Sequence, residues 1–221
     1  MKKIISAFLA LALAVSLAAC SKAAGPESGS EDITNYTAGE NSGESEKMLV
    51  LYFGSDNTAD ADLKSEATPY YDGVGATGYL AQHIAEKTGA DIEKITPVTD
   101  YPSGYNDTVD AAKEEQNNSV YPEFQPLTHN PEDYDVIIIG YPVWWYKMPN
   151  IMDSFFNAYD LSGKVIIPFN THEGSGDSGT YDDIRELEPD ATVADGFNVK
   201  GSDAGEAEKD LDKWLEVMEL V

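Results

Sequence analysis

Three runs of consecutive apolar, β-prone residues, separated by segments with helical spacing, limit the folds open to this chain. They are residues 48–53 (Met-Leu-Val-Leu-Tyr-Phe), 135–140 (Asp-Val-Ile-Ile-Ile-Gly) and 164–169 (Lys-Val-Ile-Ile-Pro-Phe). A strand with one wet face alternates apolar and polar residues; these do not alternate, so both of their faces are covered, as in a parallel sheet flanked by helices. Weaker strands are expected at 91–96 and 191–199. A helix is expected over 77–87, with Leu80, Ala81, Ile84 and Ala85 on one face and Gly89 as its stop signal. Pro149 opens a second helix with a buried stripe of Ile151, Met152, Phe155, Phe156 and Tyr159. Thr180 and Asp183 have the spacing of a capping box, and Ala207, Leu211, Trp214, Leu215 and Met218 make the last helix amphipathic. Residues 107–116 form a helix of weaker pattern. This alternation predicts an α/β fold, a doubly wound five-stranded parallel sheet in three α/β/α layers. Ligands of such sheets bind beyond the carboxyl ends of the strands, so the loops after Phe53, Gly140 and Phe169 are the ones expected to carry function.

The charge balance excludes one large class of function. Of 221 residues, 14 are Lys or Arg and 40 are Asp or Glu, a net charge of −26. No basic face large enough for phosphate-backbone recognition can be assembled, so a nucleic-acid partner is not expected. Hydrophobic residues at 42% suffice for one core. The lone cysteine, Cys20, excludes an intrachain disulfide or a cysteine-based zinc site.

The amino-terminal 47 residues read differently from the rest. Lys2 and Lys3, an apolar run over 4–19 and Leu17-Ala-Ala-Cys20 follow the order of a secretory leader, too short for a membrane span. Leu-Ala-Ala-Cys resembles a bacterial lipobox. That resemblance implies a signal peptide over 1–19, lipid on Cys20, and an extracytoplasmic protein anchored to a bacterial membrane by acyl chains, since its charge opposes attraction to anionic lipid. Residues 20–47, rich in Gly, Ser, Glu, Asn and Thr, form the expected tether, and 48–221 the folded domain.

Of the three loops, Gly140-Tyr-Pro-Val-Trp-Trp-Tyr-Lys-Met-Pro149 is the most informative. Adjacent tryptophans at the end of a buried strand cannot both point into the core, so a rigid aromatic shelf for a planar ligand is expected. In Pro168-Phe-Asn-Thr-His-Glu-Gly-Ser-Gly176, the glycines let backbone N–H groups approach a ligand closely, while Thr171 and Ser175 supply hydroxyls. His172 either orients the backbone or touches the ligand. The first loop, Gly54-Ser-Asp-Asn-Thr58, is followed by an insertion before Gly73-Val-Gly-Ala-Thr-Gly78 opens the helix. Asp56, Asp60 and Asp62 lack the order of a calcium loop and are expected to face solvent. Gly176-Asp-Ser-Gly179 spells a serine-protease tetrapeptide without the accompanying architecture, and is read as chance.

On the second and third loops the chain resembles the flavodoxin-like family, in the branch with Gly-Tyr-Pro-x-Trp-Trp, Met-Pro and Thr-His-x-Gly-Ser-Gly motifs. The resemblance covers 48–221 and implies FMN as cofactor. It places Pro142, Val143, Trp144, Trp145, Met148, Thr171, His172, Gly174, Ser175 and Gly176 around the flavin ring. Gly75, Ala76 and Thr77 become the phosphate-facing turn, with Ser55 and Asn57 contributing from the strand end. The first loop departs from the family's short hydroxyl-rich turn. Asp72-Gly-Val-Gly-Ala-Thr77 also resembles a motif for covalent FMN attachment, but lacks the Ser or Thr expected before Gly75. Tyr101-Pro-Ser-Gly-Tyr105 matches the branch too, and is read as a lid packed by its own tyrosines.

The resemblance implies an FMN-binding lipoprotein that transfers electrons outside the cytoplasm, with no catalytic side chain and no metal. Its expected partner is a redox protein with a basic docking surface, and a monomer is favoured. Two alternatives stand beside it: an FMN-dependent NAD(P)H reductase, and a non-redox binding module that has lost FMN.

Overall fold

A computed structural model describes residues 46–54, 74–102 and 104–221. The expected leader, Cys20, nearly all of the tether, Ser55, Asn57, the three first-loop aspartates and the insertion between Thr58 and Gly73 lie outside the described residues. The tether's last residue is already part of the fold. The Lys47 carbonyl accepts from the N–H groups of Asp135 and Val136, and its own N–H donates to Asp135 Oδ2.

Strands β1 (Met48–Tyr52), β2 (Asp91–Lys94), β3 (Val136–Pro142), β4 (Val165–His172), β5 (Thr192–Val193) and β6 (Phe197–Lys200) form one sheet in the order β2-β1-β3-β4-β5, with β6 also pairing with β4. Every pairing is parallel. β5 and β6 occupy one position, so the sheet has the expected five strand positions and doubly wound order. Side-chain alternation divides each apolar run between two cores. Leu49, Leu51, Ile137, Ile139 and Ile166 face α3 (Asn150–Ala158) and α4 (Thr180–Leu187), together with Ala112 of α2 (Tyr105–Asn118). Val50, Val136, Ile138, Ile167 and Phe169 face α1 (Ala76–Thr88) and α5 (Glu208–Val217). Each fully buried Leu or Ile contributes about 1.5–3 kcal/mol relative to exposure, which is why the central strands carry no polar residue until their carboxyl ends. At that end Gly140 is required for packing: a Cβ there would lie 2.0 Å from the Phe169 ring on the neighbouring strand.

The fifth strand position departs from the single strand expected over 191–199, and Pro168 explains the break. Ala194 N–H donates to the Ile166 carbonyl, so Ile166, and Pro168 two residues on, present their backbone groups to this edge. Pro168 has no N–H to give. The register runs Ile166↔Val193 before the break and Phe169↔Phe197 after it, a one-residue bulge across from the proline. Arg185 holds the bulge, donating to the Ala194 carbonyl and to Asp195 Oδ1. The expected capping box at Thr180 is also corrected. Gly179 is the N-cap, Thr180 is already helical, and its hydroxyl donates to the Asp177 carbonyl, while Asp177 Oδ2 accepts from Gly179 N–H.

Candidate functional site

At the carboxyl edge of the sheet, β1 ends beside the start of α1. Gly75 is the N-cap of α1 in extended conformation; no side chain caps the helix and no acidic residue stands in its first turn. Thr77 is fully buried there, and its hydroxyl meets that of Thr171 at 2.7 Å, tying the helix start to the end of β4. Pro142, the last residue of β3, pairs in register with Thr171, and Val143 N–H donates to the Thr171 carbonyl.

The next residues form a two-residue turn. Trp144 and Lys147 exchange both backbone hydrogen bonds at 3.0 Å, with Trp145 at φ +49° and Tyr146 at φ +62°. Such turns usually hold Asn-Gly; bulky residues in the left-handed region cost about 1–3 kcal/mol each unless their surroundings hold them. Here α2 does so. Gln116 Nε2 donates to the Trp144 carbonyl, Trp145 Nε1 donates to the Val109 carbonyl at 3.0 Å, and Lys113 Nζ sits 4.7 Å from the Trp145 ring centre. The expected shelf of two tryptophans is therefore divided. Trp144 is buried, edge-on to Phe53 and Tyr101 at 5.3 and 5.2 Å, while Trp145 is 43% and Tyr146 71% exposed.

The third loop is held by hydrogen bonds. His172 Nδ1 accepts from Gly174 N–H at 2.9 Å, and Nε2 lies 3.3 Å from Asn198 Oδ1. Glu173 accepts from the Ser202 N–H and hydroxyl at the start of the 3₁₀ turn Gly201–Glu206. Gly174 has φ +119°, a conformation open to glycine. Behind this loop a polar row crosses the sheet: Tyr141, Asn170 and Asn198 are register neighbours. Tyr141 donates to Thr180 Oγ1 and Tyr181 to the Phe197 carbonyl, and burial pushes both hydroxyls above the usual phenol range. The Asn170 amide lies within electrostatic reach of both, without a well-formed bond to either.

Between the Trp turn and the third loop opens a cleft of about 500 Å³. Val143, Trp144 and Trp145 wall one side, Gly174 and Ser175 another. Of the other residues expected to bind, Gly75, Ala76 and Thr77 sit at the α1 start, Thr171 and His172 are buried behind the loop, and Pro142 ends β3. Gly176 follows the cleft-lining segment in the third loop. Met148 is turned away from the cleft, into the core and a neighbouring groove that also holds Lys147, Asp153 and Asp183. Asp153 and Asp183 are both pushed up, by burial first and by repulsion from other carboxylates next. Thr108, Val109 and Ala112 of α2 form a wall that sequence reasoning missed, as it missed Tyr146 and Glu173, and Tyr105, expected as part of a lid, belongs to that wall. Tyr101, expected in a lid, packs edge-on against Phe53 and Trp144 and does not line the cleft. Its hydroxyl donates to Glu115 Oε2, and burial, reinforced by that carboxylate, drives it above the phenol range, while burial also raises Glu115. The signal for this wall was the pair of i, i+4 positions Thr108 and Ala112, the only residues α2 buries.

A family model described as Flavodoxin matches residues 66–218. Among solved structures, the chain is similar to a candidate flavoprotein from Bacteroides eggerthii DSM 20697, at 26% identity and a TM-score of 0.60 over 79% of this chain and 98% of that one. It is similar to a second, from Bacteroides uniformis ATCC 8492, at 23% identity and 0.61 over 78% and 99%. A third is a flavoprotein in complex with FMN from Lactobacillus acidophilus NCFM, at 19% identity and 0.53 over 73% and 98%. No curated protein matches the chain.

Proposed function

This chain belongs to the flavodoxin family, and from that premise we propose that it binds FMN noncovalently and carries electrons as a lipid-anchored protein outside the cytoplasm. The observation that carries the proposal is the cleft itself, at the carboxyl edge of the sheet between an aromatic turn and a glycine-rich loop, with a helix amino terminus beside it. Its residues fit the cofactor. The volume suits a ligand of this size, and its walls combine aromatic rings with a glycine-bearing loop. The start of α1 supplies a helix dipole and has no first-turn carboxylate to oppose a phosphate. FMN supplies the redox chemistry when bound. The chain's own residues would bind, orient and shield it: Val143, Trp145 and Tyr146 through their apolar faces at the cleft, Gly174 and Ser175 through the loop that borders it, and Gly75, Ala76 and Thr77 as the helix start that would take the phosphate. The acidic surface favours a redox partner that docks through basic residues, and Cys20 carries the lipid.

The test is a fluorescence titration of FMN with the purified protein. Quenching with a sub-micromolar Kd, about −8 kcal/mol, supports the proposal; no quenching favours the non-redox binding module. Sustained oxidation of NADH or NADPH by the flavin-loaded protein favours the reductase instead. Intact mass after denaturation decides both the lipid on Cys20 and the absence of a covalent flavin.

A further inference from the structure

The segment that lines the cleft from the β4 side is poorly held by packing. Among the described residues, nothing lies within 4 Å of the position a Cβ would take at Gly174 or Gly176. Hydrogen bonds set its shape, and the one at its first turn comes from His172. Gly174 N–H is a donor, so the Nδ1 atom it reaches at 2.9 Å is an unprotonated acceptor. The ring's proton is then on Nε2, directed at Asn198 Oδ1. Asn198 sits on β6, so the imidazole links the loop to the sheet edge beyond β4.

We infer that His172, as the neutral imidazole protonated on Nε2, is a positioning residue for the cleft. Its Nδ1 turns the Glu173–Gly174 peptide so that the amide points inward and, the peptide being trans, the Glu173 carbonyl points away from the ring. Glu173 is fixed at the same time by its two bonds to Ser202, so the cleft meets a backbone edge of set polarity. Without that acceptor Gly174 N–H has no partner at this turn. Ligand affinity therefore depends on the bond from Gly174 N–H to His172 Nδ1. The ligand half of this inference rests on the FMN reading; the tautomer half does not.

Two variants separate the imidazole's two bonds. In His172→Asn the side-chain carbonyl occupies the place of Nδ1 and accepts from the N–H two residues on, as in an Asx turn, but does not reach Asn198. In His172→Gln the amide reaches Asn198 but leaves Gly174 unpaired. FMN titration is expected to show His172→Asn within about threefold of the parent and His172→Gln weaker by about tenfold, the effect of one lost hydrogen bond. Equal affinities, or the reverse order, overturn the inference. Nitrogen-15 spectra of the imidazole in the ligand-free parent protein are an independent readout: a neutral ring protonated on Nδ1 overturns it as well. If the parent protein fails to bind FMN, the functional proposal falls, while the tautomer measurement still decides the role of His172.

Discussion

Helices α1 and α2 are nearly equal in length, at 13 and 14 residues, and both border the candidate site, yet they are held by different forces. α1 buries Ala76, Thr77, Gly78, Leu80, Ala81, Ile84 and Ala85. α2 buries Thr108 and Ala112, and is otherwise fastened by Gln116, Val109 and Lys113 to the two tryptophans. Apolar burial is strong and indifferent to small rearrangements, whereas single hydrogen bonds contribute about 0.5–1.5 kcal/mol and depend on geometry. One wall of the candidate site is therefore part of the core, and the other hangs on the Trp turn.

The comparison is broken or sharpened by substitutions on the two sides. Ile84→Ala, which leaves a cavity between α1 and the sheet, is expected to cost about 2–5 kcal/mol in urea unfolding. Gly140→Ala tests the sheet between the two helices. Its methyl group overlaps the Phe169 ring, and a loss of about 1–3 kcal/mol is expected, with a lowered Tm. Trp145→Phe removes the bond to the Val109 carbonyl and should cost about 1 kcal/mol, read as faster amide exchange across α2 with that of α1 unchanged. If Trp145→Phe lowers the exchange protection of α1 as much as Ile84→Ala does, the two helices are one cooperative unit and the contrast fails.

The smallest effect belongs to Glu188, at the carboxyl end of α4 on the same sheet face as α2. Burial first, and the nearby Asp160 carboxylate second, push it from 4.5 to about 7. A raised carboxyl pKa means that the folded protein holds more protons than the unfolded chain between those values. Stability from this group thus declines as pH rises from about 4.5 to 7, and its cost is fully expressed above 7. Glu188→Gln is expected to stabilise by about 1 kcal/mol at pH 8 and to do nothing at pH 4, in paired denaturation curves.

Much of the fold was legible because its signals are local. Gly89 ends α1 in the left-handed conformation expected of it, and Pro149 stands at the N-cap of α3. Pro168 was equally visible, but a proline breaks a strand only on the side to which its missing N–H would have pointed, and that side depends on the neighbouring strands. The site divided in the same way. Val143, Trp144, Trp145, Gly174 and Ser175 were named from motifs and line one cleft. The α2 wall was not named, since a helix with two buried residues leaves almost no periodic trace.

By itself the sequence determined a layered parallel sheet with its functional loops at one edge, because uninterrupted apolar strands have no other way to leave water on both faces. The tertiary structure alone decided that Trp144 turns inward while Trp145 is held by α2, that the fifth strand bulges opposite Pro168, and that His172 faces Asn198 rather than solvent. Each of those outcomes depends on which backbone or side chain from a distant part of the chain is presented at hydrogen-bonding distance, and no local pattern records that.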